Sequence, residues 1–97
     1  MTPVSFLSPA LAEIADAATY YDKQRPGAAE GFFLAVDAGV ELLAEHPYAG
    51  RATRFGARRL TLRKYPYDLV YRLHDEGVLV TAVAHHRRKP WYWADRM

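Results

Sequence analysis

Residues 85–93 read His-His-Arg-Arg-Lys-Pro-Trp-Tyr-Trp, five imidazole or cationic side chains followed by a proline and three aromatic rings. These residue types suit anion chemistry. The planar fork of Arg87 or Arg88 can meet a phosphate or carboxylate at two points, and Lys89 adds a point charge. Imidazole titrates near neutrality, so His85 or His86 could serve as general acid or base, a hydrogen-bonded structural histidine being the plainer alternative. Trp91, Tyr92 and Trp93 could stack on unpaired bases, each contributing roughly 1–3 kcal/mol. They could equally fold back over a sheet as a lid; the lid is expected for at least one tryptophan, with Tyr92 the ring that points elsewhere. His85 and His86 are adjacent on a strand and point to opposite faces, so they do not readily share a metal ion. No other cluster supplies ligand spacing.

Upstream, Arg51, Arg54, Arg58, Arg59, Arg63, Lys64 and Arg72 extend the cationic set. On a strand, Arg59, Thr61 and Arg63 would share one face, opposite Leu60 and Leu62. A basic cleft forms if Arg87 or Arg88 projects to the same side; the alternative is a solvated face of arginines. No Gly-rich phosphate loop, Ser/His/Asp set or paired-carboxylate motif is present. Any catalysis would rest on arginines with a histidine or tyrosine, without metal or cofactor.

Composition narrows the class. The 97 residues are half apolar and a quarter charged, with no cysteine, as in one globular domain without disulfides or thiolate metal sites. The start lacks a signal-peptide pattern and no run approaches the roughly 20 apolar residues that cross a bilayer, so a cytoplasmic protein is expected. The net charge of +2 is unevenly spread. In residues 1–50 two cations face seven acids, and in residues 51–97 eleven cations face four acids. Such a split suits two faces with different partners, or simply two solvated faces of different sign.

The elements that must position these groups follow from pattern. Val4–Leu7 reads as a short strand, after which Ser8 is a candidate cap and Pro9 suits a first helical turn. Leu11, Ile14, Ala15 and Ala18 recur at helical spacing, and Pro26-Gly27 interrupts. A second helix is expected from Ala28 to about Glu45, with Ala29, Phe32, Phe33, Val36, Val40 and Leu43 as its stripe. Gly31 and Gly39 within it would allow close crossing against the first helix, unless they are simply tolerated. Strands are expected at Arg59–Arg63, Asp68–Leu73 and Val78–Ala84, joined by tight turns. The expected class is α+β, in the order β-α-α-β-β-β, with an antiparallel helical hairpin on one sheet face and a short aromatic tail.

The ordered set of motifs resembles the RelE/ParE superfamily of type II toxin–antitoxin systems over nearly the whole chain. It comprises Phe6-x-Ser8-Pro9-x-Leu11, Tyr20-Tyr21, Pro47-x-x-Gly50, Arg59-Leu60, Tyr65-Pro66-Tyr67-x-Leu69-Val70-Tyr71-Arg72 and His85-x-Arg87-Arg88-x-Pro90-x-Tyr92-Trp93-x-x-Arg96. The resemblance implies a growth-inhibiting toxin in a hetero-oligomer with a cognate antitoxin, which lays a helix or extended segment along it. RelE-like members cut messenger RNA on the ribosome without a metal; ParE-like members inhibit DNA gyrase. In the RelE-like reading, Arg88 matches a catalytic arginine, Tyr92 lies one residue from a C-terminal tyrosine, and Arg59 is a basic position on the second strand. His85, His86 or Tyr92 would then move protons, while Arg63, Arg72, Arg87, Lys89, Trp91 and Trp93 would bind the target or its phosphates. However, Asp68 stands where many RelE-like enzymes carry another arginine, and Thr61 replaces a lysine. An acid beside a scissile phosphate repels it, and losing one electrostatic contact costs on the order of 3 kcal/mol. The Tyr-Pro-Tyr turn and the chain ending are closer to ParE-like and unassigned members. Gyrase is therefore the expected target, with ribosome-dependent mRNA cleavage and a non-toxic nucleic-acid-binding module as alternatives.

Overall fold

A computed structural model describes residues 1–97. The chain runs β1 (Val4–Phe6), α1 (Ser8–Gln24), α2 (Ala29–Glu45), β2 (Arg51–Ala52), β3 (Arg58–Thr61), β4 (Tyr67–His74) and β5 (Gly77–His85), with short 3-10 turns at Arg54–Gly56 and Ala94–Arg96. The α+β order is as expected, with the two-residue β2 as an addition. The five strands form one sheet ordered β1-β5-β4-β3-β2. β1 pairs with β5 in parallel and every other pairing is antiparallel.

Ser8 is not the cap of α1. It lies inside the first turn, Leu7 is the residue before the helix, and no side chain caps that end. Pro9 does sit at the helix start, where its missing N–H costs nothing. α1 buries Ala10, Ala17 and Ala18 and packs Ile14 and Tyr21 against the core, leaving Leu11 exposed. Of the expected stripe, Ile14 and Ala18 face inward, while Leu11 and Ala15 are exposed and Ala10, Ala17 and Tyr21 take their place. α2 starts at Ala29, whose N–H donates to Asp22 Oδ1 at 2.9 Å, so α1 supplies the carboxylate that caps α2. Gly31 and Gly39 face the β3–β4 hairpin, Gly31 at its turn and Gly39 at its strands, rather than a helix crossing. A Cβ on Gly31 would meet Tyr65 Oη, and one on Gly39 would lie 3.0 Å from Leu69 Cδ1.

The hairpin's Ala10, Ala17, Phe32, Val36 and Leu43 form one buried cluster with Leu62, Leu69, Tyr71, Val78, Val80 and Val83 from the sheet. A bulge at Thr81 sets what the sheet shows on its two faces. Tyr71 pairs with Val80 and Val70 with Ala82, so Thr81 is the extra residue. One inserted residue shifts the alternation by one. β5 therefore sends Val78, Val80 and Val83 to the hairpin, and Ala82 and Ala84 to the opposite face. Those small alanines, with Ala57 and Val70, make a shallow floor onto which Trp93 folds, 1% exposed. The lid expected from the sequence is Trp93.

Candidate functional site

The sheet face away from the hairpin, together with the tail, carries most of the candidate side chains. Strand alternation on β3 and β4 brings Arg59, Thr61 and Asp68 to that face, Thr61 directly opposite Asp68. Asp68 is 2% exposed and is the hub of the group. Arg59 Nε donates to Oδ2 at 2.8 Å and Thr61 Oγ1 donates to Oδ1 at 2.7 Å. His86 Nε2 lies 3.0 Å from Oδ1. An ionised carboxylate only accepts, so that imidazole presents its proton at Nε2. Arg51 adds a longer approach of 3.8 Å. Burial alone would raise the Asp68 pKa. The hydrogen bonds from Thr61, His86 and Arg59, with the charge of Arg59, outweigh it and hold the group below the usual carboxylate range.

A second carboxylate organises the tail. Glu13 of α1 accepts from Tyr92 Oη at 2.8 Å, from Arg96 Nη1 at 3.0 Å and from the Val83 N–H at 2.9 Å. Arg88 Nη1 stands 3.9 Å from the same carboxylate, and the Arg88 guanidinium lies 3.8 Å above the Tyr92 ring. Tyr92 therefore points elsewhere than the Trp93 lid, and its hydroxyl turns to α1. Burial first, and then the bond to Glu13, push its phenol well above the ordinary tyrosine value. The turn that delivers the tail places Trp91 at φ 65°, a left-handed conformation that costs a bulky residue about 1–2 kcal/mol. Burial of Trp93 beyond it offsets that cost.

Between the two carboxylates lies a cleft of about 110 Å3, walled by Arg59, His86, Arg88, Lys89, Tyr92 and Trp93. Arg59 also lies 5.9 Å from the Trp93 ring centroid. The structure thus brings Arg59, Arg88 and Tyr92 together. His85 borders the cleft, but its ring packs edge-on against Tyr67 at 4.9 Å. Its Nδ1 accepts the Arg87 N–H, and the two histidines do diverge to opposite faces. Arg87 and Lys89 are exposed and have no carboxylate partner.

Other predicted members lie elsewhere. β3 ends at Thr61, so Arg63 does not share the face of Arg59; it borders a groove beside Ala38 and Leu42 of α2. Arg72 lies farther along β4, with its Nε buried and without a hydrogen-bond partner. Trp91 packs beside Arg54, 5.1 Å away, and Phe55. The guanidinium groups form one free patch only in part, because Arg88 and Arg96 engage a hairpin carboxylate. Glu13 was the residue missed by sequence reasoning. Its signal was an acid at the margin of the apolar line through Ala10, Ile14 and Ala17.

The chain is similar to known proteins. The sequence profile of the ParE toxin of type II toxin–antitoxin system, parDE, matches residues 4–90. A protein of Sinorhizobium fredii (strain NBRC 101917 / NGR234) named "Putative toxin Y4kP" is 30% identical over 82 residues, covering 84% of this chain and 85% of its own. A solved structure of the chromosomal ParDE TA system from P. aeruginosa superimposes with a TM-score of 0.79. It covers 88% of this chain and 96% of that one at 20% identity, a likeness of fold. With the profile spanning most of the residues and the hairpin-on-sheet architecture in place, the chain belongs to the ParE toxin family of type II toxin–antitoxin systems.

Proposed function

We propose that this chain inhibits growth by acting on DNA gyrase through protein contact at the Arg88–Tyr92 surface, and is silenced in a hetero-oligomer with a cognate antitoxin. One observation carries the choice of gyrase over RNA cleavage. Internal carboxylates already engage the groups a nuclease would use. Asp68 accepts hydrogen bonds from Arg59, Thr61 and His86, and Glu13 accepts one from the Tyr92 hydroxyl. A phenol whose pKa is raised and whose O–H is committed to Glu13 is too little ionised to act as a base. A phosphate in the cleft would also meet the negative charge of Asp68 behind Arg59. The exposed Arg88, fixed on an aromatic ring, instead suits a contact with an acidic protein surface.

The test is induced expression with and without the antitoxin, combined with a supercoiling assay on purified gyrase. Growth arrest with intact messages and trapped gyrase–DNA complexes is the expected result. Early cleavage of messages, with unimpaired supercoiling, refutes the gyrase reading. Arg88→Ala should abolish arrest while leaving the fold intact. Its stacking and its long ion pair are surface interactions contributing about 1 kcal/mol or less each.

A further inference from the structure

We infer that Glu13, a residue of the helical hairpin outside the proposed contact surface, is the positioning residue that holds that surface in its working geometry. The inference rests on the reading above, in which Arg88 and its neighbours meet the target. β1 ends at Phe6 and pairs only with Val78–Val80, so the outer edge of β5 has no strand partner from Thr81 onward. Two side chains fill that edge. Glu13 Oε1 accepts the Val83 N–H, and Arg96 Nη1 donates to the Thr81 carbonyl at 3.1 Å.

The same carboxylate gathers the tail. Oε1 also accepts from Arg96 Nη1, while Oε2 accepts from Tyr92 Oη and from Arg96 Nη2 at 3.3 Å. A carboxylate offers about four acceptor directions, and all four are used. Glu13 therefore joins α1, the open edge of β5 and the tail at one point. Its hold on Arg88 is mostly indirect. It fixes the Tyr92 ring by its hydroxyl, and Arg88 lies across that ring. Trp93 anchors the tail to the sheet floor through a cluster against which Trp91 and Tyr92 also pack, so loss of Glu13 loosens the docking of the tail as a whole, both tryptophans included.

The chain carries its own reporters. Its two tryptophans, Trp91 and Trp93, both lie in the tail, so selectively excited tryptophan fluorescence reads tail order alone. Glu13→Gln keeps the volume and an acceptor for Val83, but sets an amide N–H2 against the Arg96 guanidinium. Loss of one charge-assisted hydrogen bond, net, lowers the ratio of docked to undocked tail about tenfold or more. The full chain bearing Glu13→Gln is compared with Tyr92→Phe, which keeps the ring but removes its donor, and with Asp37→Asn as a control. Expected for both test variants are greater acrylamide quenching, lower tryptophan anisotropy and weaker growth arrest, with unchanged far-UV circular dichroism. In Glu13→Gln the Tyr92 phenol also titrates lower. Unchanged fluorescence and Tyr92 titration in Glu13→Gln overturn the positioning role, while the proposed surface survives if Arg88→Ala is still harmless to cells. A released tail with full growth arrest overturns the surface itself. Parallel loss of tail order and arrest, with Asp37→Asn unaffected, supports both.

Discussion

Replacing Asp68 by alanine tests whether the cluster on the outer face is part of the fold. The side chain is 2% exposed and accepts three hydrogen bonds, from Arg59, Thr61 and His86. Its removal does not affect those partners equally. Thr61 and His86 reach solvent and can rehydrate, His86 being 43% exposed. Arg59 is 18% exposed and packs toward Trp93, so its charge stays largely desolvated without a counter-ion. Breaking a buried pair from one side costs about 3–5 kcal/mol, and rehydration of the other two partners places the expected loss near the lower end, about 3 kcal/mol. For a domain of this size that lowers Tm by about 12–24 °C. The deficit should also depend on pH. The folded pKa of Asp68 is depressed, so its stabilisation is complete above the unfolded carboxylate value of about 3.9 and disappears as pH falls through the folded value. Wild type and variant should therefore differ fully at pH 6 and converge under acid conditions below about pH 4. Thermal unfolding followed by circular dichroism across that range measures both effects. A loss under about 1 kcal/mol at pH 6, or a gap that persists in acid, refutes the buried-hub account.

Three further outcomes follow from the packing. Trp93→Ala removes the lid from the alanine floor and should cost about 3–5 kcal/mol, measured by chemical denaturation. Tyr71 is fully buried, donates to the Pro47 carbonyl at 2.8 Å and accepts from the Gly50 N–H at 2.9 Å; Tyr71→Phe strands that N–H and should cost about 1–3 kcal/mol in the same assay. Tyr21, Tyr67, Tyr71 and Tyr92 all have pKa values raised, mainly by burial. Their stabilisation is present below the unfolded value of about 10 and is lost as pH rises through the folded values. Near pH 10 the native chain should therefore show less tyrosinate absorbance than the unfolded chain, and stability should decline above that pH.

Much of the architecture is written in local pattern. The α2 stripe at Phe32, Val36 and Leu43, the β-branched run of β5 and the turns at Pro26-Gly27 and Asp75-Glu76-Gly77 each signal their own element. What local pattern omits is long-range. β2 is two residues held only by pairing with Arg58 and Arg59, so it has no periodicity to detect. The Thr81 bulge reverses the alternation within an apolar run whose residues all suit burial, so the composition of that run does not reveal it. Arg63 shares a face with Arg59 only if β3 continues, and the Leu62 N–H instead closes the turn by donating to the Tyr67 carbonyl. Asp68 stands out in sequence as an acid among cations. Its role needs the β3–β4 register, which sets it opposite Thr61. Glu13 and Tyr92 are 79 positions apart, and only the folded chain joins them.

The two carboxylates sort the basic segment into different kinds of charge. His86 is tied to Asp68, Arg88 is laid on a ring that Glu13 holds, and His85 turns toward Tyr67. Arg87 and Lys89, on either side of Arg88, have no counter-ion. A fixed guanidinium pays little conformational entropy on meeting a partner and demands a defined geometry. Free cations around it act at longer range, raise encounter rates and are screened over about 8–10 Å at physiological salt. The segment His85–Trp93 therefore combines an oriented contact at its centre with a diffuse positive rim. The hairpin's acidic excess contributes to that design through Glu13, which fixes the centre without neutralising the rim.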